Sequence, residues 1–97
     1  MLNITTEKNE SLLNFALEGR LDTVTAPQLS DAVTENLEGV SDIVMDLADL
    51  AYISSAGLRV LLTARKSITG ELTLKNVVPA VMEVLEITGF ADILTIK

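Results

Sequence analysis

Two hydrophobic periods alternate along this chain, and their alternation leaves few folds open. Leu13, Phe15 and Leu17 stand two residues apart, with Asn14, Ala16 and Glu18 between them, as in a strand with one buried face. Leu29, Val33 and Leu37 then fall at i, i+4 and i+8, supported by Ala26 and Ala32, as on an amphipathic helix. Thr25 and Gln28 carry the signature of a capping box ahead of that helix. Pro27 lies in its first turn, where a missing N–H costs nothing, and Gly39 closes it. Ile43, Val44, Met45 and Leu47 form a short apolar run within Ser41 to Leu47, flanked by Asp42 and Asp46, which predicts a buried central strand. A linker of mixed polarity leads on to Tyr52 and Ile53.

A second helix is predicted from about Ser55 to Ser67, with Leu58, Leu61, Leu62 and Ile68 as its apolar positions and Gly70 beyond its end. Glu71 to Lys75 alternates again. Pro79 opens a third helix, with Val81, Val84, Leu85 and Thr88 near one face and Gly89 as its stop. Asp92 to Lys97 ends the chain as a short strand or a turn of helix. Upstream, Leu2 to Glu7 reads as an edge strand, turned back at Lys8-Asn9-Glu10 into the Leu13 strand, with Asn9 suited to unusual backbone angles. The order strand–strand–helix–strand–helix–strand–helix–strand predicts a single α/β domain over residues 1–97. It would hold a mixed sheet of about five strands, the central ones parallel and joined by right-handed crossovers, and about three to four helices.

Charge and composition narrow the chemistry. Seven basic residues against fourteen acidic give a formal charge of −7, which disfavours nucleic acid and anionic lipid as partners. There is no cysteine and no histidine, so disulfides, thiolate or imidazole metal sites and histidine-based triads are excluded. No stretch approaches the length of a membrane span, and the N-terminus has no signal pattern, so no membrane insertion and a cytoplasmic location are expected. Neither a Gly-x-Gly-x-x-Gly nor a Gly-Lys-Ser/Thr sequence occurs, and Gly-x-Ser-x-Gly is absent too; the chain is therefore not expected to be an enzyme or to hold a cofactor.

The candidate site is Ser54-Ser55-Ala56-Gly57, standing just before the second helix. A serine there is an N-cap signal, and the exposed N–H groups of a first helical turn also favour a phosphate. One cap needs only one hydroxyl, so the pair is open to two readings: a cap alone, or a cap beside a modified serine. The Ala56-Gly57 pair would leave room for another protein's active site to approach. Asp22-Thr23 follows a strand's carboxyl end, as Ser54-Ser55 does, so the two loops are expected to be neighbours. Asp42, Asp46 and Asp49 lack metal-loop spacing and read as solvated turn carboxylates.

Taken in order, Leu17-Glu18-Gly19-Arg20-Leu21-Asp22, Ile43-Val44-Met45-Asp46-Leu47, Tyr52-Ile53-Ser54-Ser55-Ala56-Gly57-Leu58 and Thr88-Gly89-Phe90 resemble a STAS domain of the anti-sigma-factor antagonist family. The resemblance runs almost end to end. It implies a partner-switching protein that binds an anti-sigma factor, itself a serine kinase, and so releases a sigma factor. Phosphorylation at Ser55, with Ser54 as the alternative acceptor, would end that binding, and a PP2C-type phosphatase would reset it. ATP and magnesium would belong to the kinase. Asp22, Thr23, Ser54, Ser55, Ala56, Gly57 and Arg59 are the partner-binding residues this implies, on a monomer or weak dimer. Members of the family often have aspartate where this chain has Ser54; serine keeps the capping oxygen and drops a charge. STAS domains that serve as accessory subunits of transport or stressosome-like assemblies give the alternative function.

Overall fold

The computed structural model describes all 97 residues, Met1–Lys97. Strands β1 (Leu2–Asn9) and β2 (Leu12–Leu21) form the N-terminal hairpin, followed by α1 (Ala26–Asn36), β3 (Asp42–Ile53), α2 (Ser55–Lys66), β4 (Leu72–Lys75), α3 (Pro79–Ile87) and β5 (Thr95–Ile96). A single 3-10 turn at Phe90–Asp92 stands between α3 and β5, so the C-terminal segment contains both a helical turn and a strand. The hairpin turns at Glu10 with φ 56°, not at Asn9. Gly89, at φ 82°, adopts the left-handed conformation that stops α3, as expected of a glycine after a helix.

The sheet order is β1-β2-β3-β4-β5, with β1 antiparallel to β2 and every later pair parallel. Each crossover moves one strand further in the same direction. Right-handed crossovers that never reverse direction place all their helices on one face of the sheet. The burial pattern follows from this. Leu13, Phe15, Leu17, Ile43, Met45, Leu72 and Leu74 point under the helices and are buried, while Asn14, Val44, Asp46 and Thr73 between them are only partly covered. The central strand is thus buried on one face only, and the other face carries a shallow cavity of about 230 Å³ above Phe15, Ala16 and Val44. The strand is buried as expected on its helix-covered face, through Ile43, Met45 and Leu47, while Val44 lies among the partly covered polar positions of the other face.

The supposed linker after Leu47 is strand. β2 and β3 pair from Leu12↔Asp42 to Leu21↔Ile53, so ten residues of β2 face twelve of β3, and register shifts fall between Ala16 and Glu18 and between Gly19 and Arg20. Two extra residues on β3 are therefore accommodated as bulges. Bulges break the period of two, which leaves Leu47, Leu50 and Ile53 as the buried positions and explains why the segment does not read as strand. The Asp46 carboxylate supports this irregularity, accepting from the Ala48 N–H at 3.0 Å and from Asn76 Nδ2 at 3.2 Å. Asp42 does similar work at the other end of the strand. Its Oδ1 accepts from the Glu71 N–H at 2.9 Å and its Oδ2 from the Ser41 hydroxyl at 2.8 Å, tying the start of β3 to the start of β4. Asp42 and Asp46 thus serve as hydrogen-bond acceptors within the fold.

The core is almost wholly aliphatic, and Thr25 is the one buried polar residue. Two features of this packing can be checked in solution. Gly57, in the first turn of α2, is buried against the ends of β2 and β3. A Cβ there would lie 2.7 Å from Leu21 Cγ and 3.0 Å from Ile53 Cγ1. Gly57→Ala is expected to cost about 1–3 kcal/mol, read as a lower urea midpoint with an unchanged m-value.

The backbone N–H of Glu71 holds the Asp42 carboxyl below the usual carboxylate range, and the N–H of Ala48 does the same for Asp46. A depressed folded-state value gives stability that is present above the unfolded carboxylate pKa and is lost as pH falls through the folded one. The thermal midpoint should therefore drop on acidification below pH about 4. An Asp42→Asn/Asp46→Asn variant removes the titration while each amide keeps one acceptor oxygen, for the Glu71 and Ala48 N–H groups, and its midpoint should fall less steeply; equal slopes would show that these carboxylates are not responsible.

Candidate functional site

Because β2 and β3 are parallel, their carboxyl ends reach the same edge of the domain. Leu21 pairs with Ile53 and Arg20 with Tyr52, and the Ser54 N–H donates to the Leu21 carbonyl at 2.9 Å. The loop after β2 and the turn after β3 are therefore neighbours, as their sequence positions suggest.

Asp22 organises the first of these loops. Its Oδ1 accepts from the backbone N–H groups of Val24 and Thr25, both at 3.0 Å, and its carbonyl accepts from the Ala26 N–H at 2.8 Å. The Asp22 N–H donates to Thr25 Oγ1, and that hydroxyl donates to the Arg20 carbonyl, each at 2.8 Å. The backbone N–H of Thr25 is the main cause that keeps the Asp22 carboxyl below its ordinary range. The expected capping box does not form. Thr25 turns its hydroxyl back to β2, and Gln28 Nε2 donates to the Leu2 carbonyl at 2.9 Å, tying α1 to the edge strand. An aspartate three residues before the N-cap thus takes up the loop's N–H groups in an Asx-type turn, which competes with a serine- or threonine-type cap.

In the second loop Ser54 is the N-cap of α2. It is extended (φ −102°, ψ 176°), its carbonyl accepts from the Leu58 N–H at 3.0 Å, and its hydroxyl accepts from the Gly57 N–H at a long 3.4 Å. Ser55 is the first helical residue and is exposed, and no acidic side chain occupies the first turn. The two serines therefore differ in kind: one hydroxyl is turned into the helix start, the other into solvent.

The remaining residues named from sequence divide by exposure. Thr23 and Arg59 are exposed, Asp22 and Ala56 are partly buried, and Gly57 is buried. Gly57 lets α2 approach Leu21 and Ile53, so its missing side chain serves packing beneath the turn and does not open the turn from outside.

Three further residues complete the surface. The Arg20 guanidinium lies over the Tyr52 ring, 4.2 Å from its centroid, and its Nε stands 3.9 Å from Asp22 Oδ2. Tyr52 is 39% exposed and Val24, at the tip of the first loop, is 85% exposed. Arg20 and Tyr52 escape a reading of the sequence because only the bulged register of β3 brings them opposite each other. Val24 offers a clearer signal, an apolar residue amid the polar loop Asp22-Thr23-Val24-Thr25. The result is an exposed edge with an aromatic, an arginine and an aliphatic tip beside an accessible hydroxyl. Tyrosine and arginine are the side chains most enriched at the centres of protein interfaces.

Similarity to known proteins agrees with this geometry. The chain is 38% identical over 96 residues to BtrV of Bordetella bronchiseptica, described as a candidate anti-sigma factor antagonist, covering 95% of this chain and 83% of that one. It is 29% identical to the anti-sigma-B factor antagonist of Bacillus subtilis, covering 99% and 91% of the two chains. Among solved structures, an anti-sigma factor antagonist from Mycobacterium paratuberculosis superposes with a TM-score of 0.86 at 22% identity, over 99% of this chain and 85% of the other. The Bacillus cell fate determinant SpoIIAA in its phosphorylated form gives 0.76 at 18% identity, over 98% and 91%. A family profile described as the STAS domain matches residues 3–97. With nearly its whole length so matched, the chain belongs to the STAS domain family.

Proposed function

We propose that this protein is an anti-sigma factor antagonist whose binding surface is the edge formed by Asp22–Val24, Tyr52 and the start of α2, and whose switch is phosphorylation of Ser55. The observation that carries the proposal is the division between the two serines. Ser54 is spent on the cap, while Ser55 is exposed on the first turn beside it. The anti-sigma role is supported by the names of the relatives in Bordetella and Bacillus, and a phosphorylated form is known for the structurally similar SpoIIAA.

In this reading the unmodified protein holds an anti-sigma factor and so frees a sigma factor. The anti-sigma factor is also the kinase and brings ATP and magnesium, and a PP2C-type phosphatase removes the phosphate. The physics is local. A phosphate adds about −1.5 to −2 charge at a helix N-terminus, where the dipole and free N–H groups favour it, so the fold tolerates it. Within a close-packed interface the same charge must be desolvated, and a penalty of ~3 kcal/mol weakens binding more than a hundredfold.

Incubation with the cognate kinase and ATP, followed by peptide mass spectrometry, should place the phosphate on Ser55. Ser54→Ala should lose about 0.5–1 kcal/mol of stability, the low end for a cap given its long hydrogen bond, yet remain a substrate. Ser55→Ala should keep its stability, accept no phosphate and bind the anti-sigma factor constitutively. Phosphate on Ser54, or a phosphorylated protein that binds as tightly as Ser55→Ala, would refute the assignment.

A further inference from the structure

Helix α2 is the basic element of an acidic protein. Of the seven lysines and arginines in the chain, Arg59, Arg65 and Lys66 lie on it, and its sequence SAGLRVLLTARK contains no acid. The flanking helices carry the opposite sign, with Asp31 and Glu35 on α1 and Glu83 and Glu86 on α3. Even so, the only ion pair in the protein is Arg20–Asp22, so none of the three α2 cations is paired. Arg65 and Lys66 stand in the last turn, where cations offset the negative end of the helix dipole. Arg59, near the other end, has no such explanation.

At 100° per residue, Ser55, Arg59, Leu62 and Lys66 fall within about 60° of one another, a single stripe about 16 Å long. Ser55, Arg59 and Lys66 are exposed. Leu62, between the two cations, is only partly buried and is not among the side chains packed against the core. An apolar residue flanked by two exposed cations suits a protein-binding patch.

We propose that this stripe is a docking surface for an acidic protein segment that sets an apolar side chain on Leu62 and carboxylates on Arg59 and Lys66. It deepens the partner-binding reading of the Ser55 turn, on which its biological meaning rests, by extending that surface along α2 and fixing the partner's sign. Charge complementarity identifies the occupant. The two cations of the stripe, on a chain of net charge −7, are too few for duplex DNA, whose binders commonly neutralise six to ten phosphates, or for a lipid surface, which takes clusters of four to eight basic residues. The stripe also explains why a phosphate at Ser55 acts as a switch. Placed at one end of the stripe, it offsets Arg59 and repels the carboxylates that Arg59 would otherwise attract.

The test is an NMR titration of the 15N-labelled protein at low salt with a synthetic helical peptide rich in glutamate and bearing leucines at helical spacing. Amide shifts should concentrate at residues 59–66, and an Arg59→Glu/Lys66→Glu variant should bind about tenfold more weakly. Both positions are exposed, so the variant should keep its fold, and its spectrum reports on that directly. Shifts elsewhere, or unchanged binding by the variant, would overturn the proposal. So would movement of the same amides at lower concentrations of duplex DNA or of phosphatidylglycerol vesicles. The Ser55 assignment has a separate readout. If α2 ignores the peptide while phosphate still releases the anti-sigma factor, the docking surface is wrong and the switch stands. If α2 responds but Ser55 accepts no phosphate, the reverse holds.

Discussion

The pairing of β2 with β3 is the interaction on which the rest of this protein depends. Ten residues of one strand are matched to twelve of the other, and the surplus is taken up in two bulges. Without that accommodation Leu21 would not face Ile53, and Arg20 would not lie over Tyr52. The Leu21 carbonyl could not then receive the Ser54 N–H. The same register buries Leu47, Leu50 and Ile53 beneath the helices, so core packing and the geometry of the functional edge share one cause.

From that edge the division of labour among adjacent residues follows. Ile53 ends the strand in the core, Ser54 turns the chain and caps the helix, Ser55 faces solvent, and Gly57 lets the helix settle onto the strand ends. Four consecutive positions (Ser54 to Gly57) thus combine a fixed backbone with one accessible hydroxyl. The Asp22 loop is fixed just as firmly by its own side chain, through hydrogen bonds to Val24 and Thr25.

Much of this could be read from the sequence. Helices announce themselves by apolar spacing and by Pro27, Pro79, Gly39 and Gly89, and the hairpin by Leu13, Phe15 and Leu17. The proximity of the two loops followed from parallel strands alone. Two things were hidden. Bulges destroy the period of two, so the stretch between Leu47 and Tyr52 reads as a linker. Side-chain partners in a turn are decided by competition among several hydroxyls and carboxylates, so Asp22 displaced the expected Thr25–Gln28 box. The role of Gly57 was also invisible, since a missing side chain looks the same whether it opens space outward or inward.

The exposed hydroxyl of Ser55 sits on a helix start held from both sides, by the Leu21 carbonyl behind it and by Gly57 packed beneath it. A signal written there as charge requires no segment to fold, melt or swing. If Ser55 carries the proposed phosphate, the response time would be set by the enzymes that write and erase it and by dissociation of the partner, not by slow relaxation of the protein itself. In kinetic terms, a domain switched in the proposed way would behave as a label that is read, with a memory as long as the life of its ester bond.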